Sequence, residues 1–208
     1  MTKTLPVNEI LLTVRKQRVN MIACVNEKNA LGMNGELLYS IPLDFSWFQE
    51  VTKGHVVIMG VKTYMEIGKP LKNRRNIVIY QPEKGKPDVH DEVILVQKLE
   101  EALYIASFDG EKDVFIVGGG RLYHQAYEHG VDYVYRTKIW DDTPGDTFFI
   151  EEERLMNEFH SWNNEPFKKI TGLNRMTNQV VEMQFEIWRN NRLLERADDL
   201  SEWISLHV

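Results

Sequence analysis

Asp44 is the first candidate for acid–base or recognition chemistry, because it lies inside the apolar and aromatic run Leu43–Phe48. Pro42 suits the first turn of a helix, where proline gives up no hydrogen bond that the helix needs. In a helix from Pro42 to about Val51, Asp44, Phe48 and Val51 share one face. A carboxylate on a core-facing surface is costly unless a partner or a function uses it. The alternative is that Asp44 only favours the helix dipole from the first turn.

Two glycine-containing turns are candidates for a phosphate seat. Gly118-Gly119-Gly120 separates a buried strand from a helix, so a ligand could approach the backbone and the free N–H groups of the helix. Gly60 ends another buried strand, and Lys62-Thr63 opens the helix after it. The triplet does not match the G-x-G-x-x-G dinucleotide fingerprint. A tight turn is the alternative, although Arg121 directly after the triplet favours an anion.

Other chemical groups give weaker patterns. Arg74 and Arg75 precede a strand, and an arginine is suited to a bidentate grip on a carboxylate; two solvated charges are the alternative. The six histidines show no ligand spacing with cysteine or acids, so the sequence predicts no metal site. Cys24 lies in a strand, where a core position is favoured over a nucleophile.

The charge balance excludes some partners. The net charge of −6 gives no electrostatic reason to bind nucleic acid or acidic membranes. A single cysteine, Cys24, permits no intrachain disulfide and favours a reducing compartment. No stretch is long and apolar enough to span a bilayer. We therefore predict a cytoplasmic protein with no nucleic-acid or membrane partner.

Strands alternate with helices through the middle of the chain, which predicts an α/β fold. The expected architecture is a mostly parallel central sheet with helices on both faces and an antiparallel C-terminal edge. Predicted strands are Val19–Val25, Val56–Met59, Ile77–Tyr80, Val93–Val96, Val114–Val117, Val131–Ile139 and Gln179–Trp188, the last pairing near Glu158–Asn163. Predicted helices are Pro42–Val51, Lys62–Ile67, Leu99–Ser107 and Arg121–Tyr127.

Three segments are predicted. Residues 1–18 form an N-terminal extension, 19–189 the domain, and 190–208 an extension in which Leu193, Ala197, Leu200 and Ile204 recur at helical spacing. This amphipathic helix is expected to dock on its own domain, with a dimer contact as the alternative. Ala30–Tyr39, with two glycines and an asparagine, is predicted to be a loop that closes over a site.

The joint order of these pieces resembles dihydrofolate reductase from about Asn20 to Trp188. The matching motifs are Ile22-Ala23, Leu31-Gly32, Pro42-x-Asp44-x-x-Trp47-Phe48, Val57-Ile58-Met59-Gly60-x-x-Thr63-Tyr64, Ile67-Gly68-Lys69-Pro70-Leu71, Arg74-x-Asn76, Ile116-Val117-Gly118-Gly119-Gly120-x-x-Tyr123 and Gly145-Asp146-Thr147. The resemblance implies reduction of 7,8-dihydrofolate to tetrahydrofolate with NADPH, in support of one-carbon metabolism.

The resemblance also assigns roles. Asp44 would hold the pterin, supported by Thr137, and the substrate proton would arrive through water with Asp44 tuning the site. Arg74 would grip the glutamate α-carboxylate, and Leu31–Tyr39 would be the mobile loop over the nicotinamide. The catalytic set is Asp44, Tyr39, Leu37 and Thr137. The substrate set is Ile22, Cys24, Phe45, Phe48, Ile67, Leu71, Arg74, Val117 and Tyr123. The cofactor set is Leu31, Gly32, Gly35, Gly60, Lys62, Thr63, Gly118, Gly119, Gly120, Arg121, Leu122 and Thr147, with a cis Gly-Gly bond in the family.

The chain departs from the family pattern at three places. Leu38-Tyr39 replaces Pro-Trp, Val61 replaces a basic residue, and Tyr80-Gln81 replaces a serine pair at the 2′-phosphate. Lys62 is the candidate for the missing charge, and the sequence leaves the choice between NADPH and NADH open. A monomer is expected. Alternative functions are a pyrimidine reductase of riboflavin synthesis, and a binding protein that kept the fold but lost catalysis.

Overall fold

A computed structural model describes residues 17–108, 112–162 and 168–193. Its strands are β1 Arg18–Val25, β2 Ala30–Met33, β3 Glu36–Leu37, β4 Val56–Gly60, β5 Arg75–Ile79, β6 Ile94–Val96, β7 Asp113–Ile116, β8 Tyr133–Ile139, β9 Thr147–Phe148, β10 Phe159–Ser161, β11 Ile170–Asn174 and β12 Gln179–Asn190. Its α-helices are α1 Pro42–Thr52, α2 Val61–Ile67, α3 Leu99–Phe108, α4 Gly120–His129 and α5 Glu152–Glu158. A short 3-10 turn spans Pro82–Lys84.

The main sheet has the strand order β10-β12-β8-β1-β7-β4-β5-β6, with β11 paired to β12. The pairs from β8 to β6 are all parallel. Strand β12 runs antiparallel to β8, and both β10 and β11 run antiparallel to β12. The α/β fold with a parallel centre and an antiparallel C-terminal edge is confirmed, including the pairing of residues near Glu158 with the last strand.

Alternating strand residues form a core on each face of the sheet. Met21, Ile58 and Ile116 pack with buried residues of α3, α4 and α5. Ile22, Met59 and their neighbours pack on the other face with α1 and α2. Strands buried on both faces read as continuous apolar runs, which is why their positions follow so directly from the sequence.

The prediction of a loop at Ala30–Tyr39 is corrected by the structure, in which this segment contains the hairpin of β2 and β3. Asn34 and Gly35 both have positive φ, +53° and +87°, and this backbone lets the chain reverse direction within two residues. Strand β9 pairs with β2 to complete a small three-stranded sheet.

Helix α5 and strand β11 have no counterpart in the sequence prediction. Strand β11 buries only Gly172 and Asn174, so its apolar pattern is weak. Most of the N-terminal extension and the C-terminal segment beyond residue 193 lie outside the described residues. Within the described residues, no helix combines the length and the apolar character needed to cross a bilayer.

Candidate active site

A cleft of about 1120 Å³ opens at the carboxyl ends of β1, β4 and β7, between α1, the β2–β3 hairpin and the start of α4. The cleft brings together nearly all of the predicted site residues. Those that line it are Ile22, Cys24, Leu31, Gly32, Gly35, Leu37, Tyr39, Asp44, Phe45, Phe48, Lys62, Thr63, Ile67, Leu71, Arg74, Val117, Gly118, Gly119, Gly120, Arg121, Leu122, Tyr123 and Thr147. The two others, Thr137 and Gly60, lie behind the cleft and contact residues that line it.

Asp44 lies in the first turn of α1, with Pro42 at the start of the helix. The hydroxyl of Thr137, which is fully buried on β8, donates to Asp44 Oδ1 at 2.6 Å. Burial raises the pKa of Asp44 to about 6, against the opposing effect of the Thr137 hydrogen bond. The carboxyl group therefore exchanges a proton near physiological pH.

Two other polar groups share this end of the cleft. Burial, with Asp44 as a further cause, raises the pKa values of Cys24 and Tyr123. The Tyr123 hydroxyl donates to the Ile22 carbonyl at 2.7 Å, so it ties α4 to β1. Cys24 is a free thiol on the cleft wall.

Tyr39, which the resemblance places in the catalytic set, lines the cleft. Its side chain is 5% exposed, and its hydroxyl is buried with no hydrogen-bond partner among the described residues. Burial raises its pKa, and the carboxylate that raises it further is Asp141 rather than Asp44. Its ring packs with Ile41 and Ile139, whereas Leu37 on β3 is exposed at the cleft mouth.

Arg74 lies at the opposite end of the cleft and is held by α1. Its Nε donates to Thr52 Oγ1 at 2.8 Å, its Nη2 to the Gln49 carbonyl at 2.9 Å and its Nη1 to the Lys72 carbonyl at 2.8 Å. The guanidinium also lies 5.8 Å from the centre of the Phe48 ring. A guanidinium has five N–H donors, so one remains on each terminal nitrogen for a ligand carboxylate.

The glycine triplet forms a cradle between two threonines. The Gly118-Gly119 peptide is cis, as the resemblance implies, and Gly118 has φ +128°. A Cβ on Gly119 would lie 3.3 Å from Thr63 Oγ1, and one on Gly120 would lie 2.8 Å from Thr147 Cγ2. The Gly60 N–H donates to the Gly118 carbonyl at 2.8 Å and fixes the turn to β4. Among the described residues no side chain caps α4, so the N–H groups of Gly120 and Arg121 at its start are available to an anion.

The hairpin covers this cradle from the other side. The Asn34 N–H donates to Asp146 Oδ2 at 2.7 Å, and the Asp146 N–H donates to the Gly32 carbonyl at 2.9 Å. A Cβ on Gly35 would lie 2.8 Å from Lys62 Nζ. The turn of the hairpin therefore meets α2 across the cleft.

Some positions were missed by sequence reasoning. Thr52, which accepts the Arg74 Nε–H bond, is the last residue of α1 and follows the predicted helix as an ordinary polar residue. Asn76 hydrogen-bonds the backbone of Leu71 in both directions and fixes that wall of the cleft; its place in the motif Arg74-x-Asn76 was the available signal. Within the described residues there is no group of three or more metal-ligating side chains.

The cleft combines three kinds of recognition. A titratable carboxyl among apolar side chains suits the polar edge of a flat heterocycle. A guanidinium with two unused donors suits a carboxylate, and a glycine cradle at a helix start suits a diphosphate. A ligand with a heterocycle at one end and a carboxylate at the other fits beside a dinucleotide.

Comparisons with known proteins agree with this geometry. The family model described as dihydrofolate reductase matches residues 18–185. The dihydrofolate reductase of Bacillus subtilis (strain 168) is 34% identical over 134 residues, which are 64% of this chain and 76% of that protein. The dihydrofolate reductase of Haemophilus influenzae is 34% identical over 131 residues, which are 62% and 77% of the two chains.

The solved structures include a similar fold. A dihydrofolate reductase from Enterococcus faecalis, complexed with NADP(H) and RAB-propyl, aligns with a TM-score of 0.66 and 26% sequence identity. The alignment covers 84% of this chain and 96% of that one.

Proposed function

The chain belongs to the dihydrofolate reductase family, and we propose that it reduces 7,8-dihydrofolate to tetrahydrofolate with NADPH, using Asp44 to recognise and polarise the pterin. The observation that carries the proposal is the Asp44 carboxyl, bonded to Thr137 at 2.6 Å at one end of a cleft that has Arg74 at the other. This spacing of an acid and a guanidinium suits a pterin joined to a glutamate.

The glycine cradle fits the cofactor. A side chain at Gly120 would clash with Thr147, and one at Gly119 would crowd Thr63, which supports a surface kept bare for a close-lying diphosphate. The backbone of 118–121, Thr63, Lys62 and Arg121 would hold NADPH, with Leu31 and the hairpin over its nicotinamide. When bound, NADPH supplies the hydride.

Asp44 has two tasks in this proposal. Its Oδ1 is fixed by Thr137, which leaves the second oxygen to accept N–H donors from the amino edge of the pterin. Because its pKa is about 6, a fraction of the Asp44 carboxyl is protonated at neutral pH. The carboxyl thereby favours protonation of the substrate ring nitrogen, which receives its proton through water. Closure of the hairpin excludes bulk solvent from this exchange.

Arg74 sets the far end of the substrate. Three of its N–H donors form hydrogen bonds with Thr52, Gln49 and Lys72, so the guanidinium is oriented before a ligand binds. Phe45, Phe48, Ile67 and Leu71 provide apolar walls between the two ends. The glutamate carboxylate of dihydrofolate would pair with the two remaining N–H donors of Arg74.

We further propose that the enzyme works in the cytoplasm and as a monomer. The free thiol of Cys24 on the cleft wall suits a reducing compartment. All of the residues assigned to substrate and cofactor come from one chain, so no second copy is needed to complete the cleft.

The test is oxidation of NADPH with dihydrofolate at neutral pH, run beside the same assay with NADH. We expect turnover with NADPH, and we expect Asp44→Asn to fold normally while losing at least about 100-fold in kcat/KM, as for loss of a group that acts in proton transfer. Ser46→Ala, on the same helix, is the matched control, because its hydroxyl bonds only to the Pro42 carbonyl among the described residues.

Other outcomes separate the alternatives. Binding of NADPH and folate without turnover would favour a binding protein that kept the fold. Turnover of a ribosylated pyrimidine in place of dihydrofolate would favour the reductase of riboflavin synthesis, which does not need the Asp44 helix with a following Arg74. Full activity in Asp44→Asn would remove Asp44 from its assigned role.

A further inference from the structure

The antiparallel edge of the main sheet carries an aromatic surface that is partly open. Tyr133 on β8 is paired with Arg189 on β12, so their side chains lie on one face of the sheet. Trp162, directly after β10, meets Tyr133 edge to face at 6.0 Å between ring centres. The Arg189 guanidinium lies 4.8 Å from the centre of the Trp162 ring, and Trp162 is still 48% exposed. We call Tyr133, Trp162 and Arg189 the aromatic floor.

The aromatic floor is about as wide as one helix. Trp47 of α1 packs on Tyr135 and Phe185, which follow on the same face nearer the cleft. The three residues of the floor come from neighbouring strands in the order β10-β12-β8. Because neighbouring strands lie about 4.8 Å apart, three of them span about 10 Å, which is the diameter of a helix. The face therefore has room for one more helix beside α1.

The chain leaves its described part next to this floor. Its backbone is helical at Arg192 and at Leu193, the last described residue. The Leu193 carbonyl accepts a hydrogen bond from Arg189 Nη2 at 3.2 Å, and the Arg192 guanidinium donates to the Val131 carbonyl at 3.0 Å. These bonds fix the point from which residues 194–208 start. As a helix, these 15 residues would be about 22 Å long, which is enough to cross the floor.

Charge favours this C-terminal segment over the N-terminal one as the occupant of the floor. Residues 194–208 contain four acids and one arginine, whereas residues 1–16 contain one acid, one arginine and two lysines. In the part of the chain that the structure describes, Arg189 has no acidic partner, and its buried Nε–H has no hydrogen-bond acceptor. A buried donor without an acceptor is costly. The floor therefore attracts an acidic segment and repels a basic one.

We infer that residues 194–208 pack as an amphipathic helix on the aromatic floor of their own chain. Leu193, Ala197, Leu200 and Ile204 share one helical face, which would cover the two aromatic rings, and the acids occupy the rest of the helix surface. The inference does not depend on the proposed function. The floor lies at the amino end of β8, whereas the cleft opens at the carboxyl ends of the parallel strands.

Hydrogen–deuterium exchange of the full chain tests this inference, because packing protects helical amides from exchange. We expect the amides of residues 197–206 to exchange at least about tenfold more slowly than in a synthetic peptide of residues 190–208. Trp162→Ala should remove most of this protection. Tyr104→Ala is the matched control, because Tyr104 is also an exposed aromatic residue but lies on α3, which packs on the opposite face of the sheet.

A second variant leaves the floor intact. Leu200→Ser combined with Ile204→Ser removes two apolar side chains from the segment and changes no residue of the domain, so it should lose protection even where Trp162→Ala fails to fold. Ser201→Ala combined with Ser205→Ala is its control, because both serines lie off the apolar face. Protection of Val56–Gly60 at the centre of the sheet should be equal in all of these variants and reports that the domain is folded.

Fast exchange of residues 194–208 in the parent protein, or protection that survives both variants, would overturn the inference. Protection that is lost on about hundredfold dilution would assign the floor to a second copy of the chain. Release of residues 1–16 in place of 194–208 by Trp162→Ala would assign it to the N-terminal segment. Either result would also overturn the inference, whereas protection that is independent of dilution and lost in both variants supports it.

Discussion

At the scale of single residues, the Thr137 hydroxyl lowers the proton affinity that burial gives to Asp44. Its hydrogen bond favours the charged carboxylate and opposes the larger effect of burial, which together give a pKa of about 6. We expect Thr137→Val to remove the opposing effect, so that the inflection in kcat/KM against pH moves to a higher pH. The measurement is a pH–rate profile, since kcat/KM reports the pKa of the free enzyme.

The control for this prediction is Ser46→Ala, which removes an exposed hydroxyl from the same helix. Its profile should coincide with that of the parent protein. An inflection that stays in place, or moves downward, in Thr137→Val would contradict the role of the Thr137 bond.

The raised pKa of Asp44 also makes a prediction about stability. Between pH 3.8 and about 6 the folded state holds a proton on Asp44 that the unfolded state has lost. Stability falls with rising pH wherever the folded state binds more protons, so this carboxyl costs free energy above pH 6. Asp44→Asn should therefore unfold less readily than the parent at pH 8, by about 1–3 kcal/mol, and show little difference near pH 3.5.

Denaturant unfolding at the two pH values measures this difference. Asn keeps an oxygen that accepts the Thr137 hydroxyl, so the hydrogen bond itself is retained. The expected pattern is a gain in stability together with a loss of activity, as at other functional sites. A variant that is less stable than the parent at pH 8 would show that the carboxylate is better solvated than its burial implies.

At the scale of elements, Asp146 ties the β2–β3 hairpin to the segment before β9. Asp146 accepts a hydrogen bond from the Asn34 N–H, and this bond is the largest cause of the lowered pKa of Asp146. Asp146→Asn keeps an acceptor but loses the charge that strengthens the bond and attracts Lys62. We expect the KM for NADPH to rise severalfold, because the variant weakens a charge-assisted hydrogen bond that holds the hairpin. Thermal stability should not change.

Steady-state kinetics and thermal melts provide both measurements. Asp142→Asn is the matched control, because Asp142 lies nearby on the same segment and, within the described residues, its carboxylate pairs with the exposed Lys28 at 3.7 Å. A rise in KM of equal size in the control would show that general surface charge, rather than the hairpin contact, is responsible.

The elements also show which parts of the fold follow from the sequence alone. Apolar runs such as Val56–Met59 are buried on both faces of a parallel sheet, and a local pattern is enough to locate them. The hairpin at Ala30–Leu37 depends on positive φ at Asn34 and Gly35 and on pairing with Thr147–Phe148, more than 100 residues away. The segment was predicted to be a loop because a local sequence pattern does not reveal a strand partner so far along the chain.

The same limit applied to the candidate site. The position of Asp44 within an apolar run was enough to predict a functional carboxylate. Its partner Thr137 was predicted only from the resemblance to a family. The resemblance placed Tyr39 in the catalytic set, and its hydroxyl is buried, with Asp141 raising its pKa further. The direction of a side chain depends on packing from Ile41 and Ile139, which no spacing in the sequence encodes.

At the scale of the whole molecule, a buried ion cluster joins the parallel sheet to its antiparallel edge. Arg136 on β8 is 1% exposed, and its Nε donates to Glu186 on β12 at 2.6 Å. Arg136 also pairs with Glu152 of α5, and the Trp188 indole N–H donates to Glu186 at 2.9 Å. The next residue of β8 after Arg136 is Thr137, so the cluster fixes the strand that supports Asp44.

This cluster yields the last prediction. Glu186→Gln leaves the Arg136 charge buried with one carboxylate fewer, and removing one partner of a buried ion pair typically costs about 3–5 kcal/mol. We expect a loss near the lower end of that range, because Glu152 still pairs with Arg136. The control is Glu182→Gln on the same strand, whose pair with Lys169 is exposed and should be worth less than about 1 kcal/mol. Urea unfolding with an unchanged slope would assign the loss to the folded state, and equal midpoints for the two variants would show that the cluster does not hold the two parts of the sheet together.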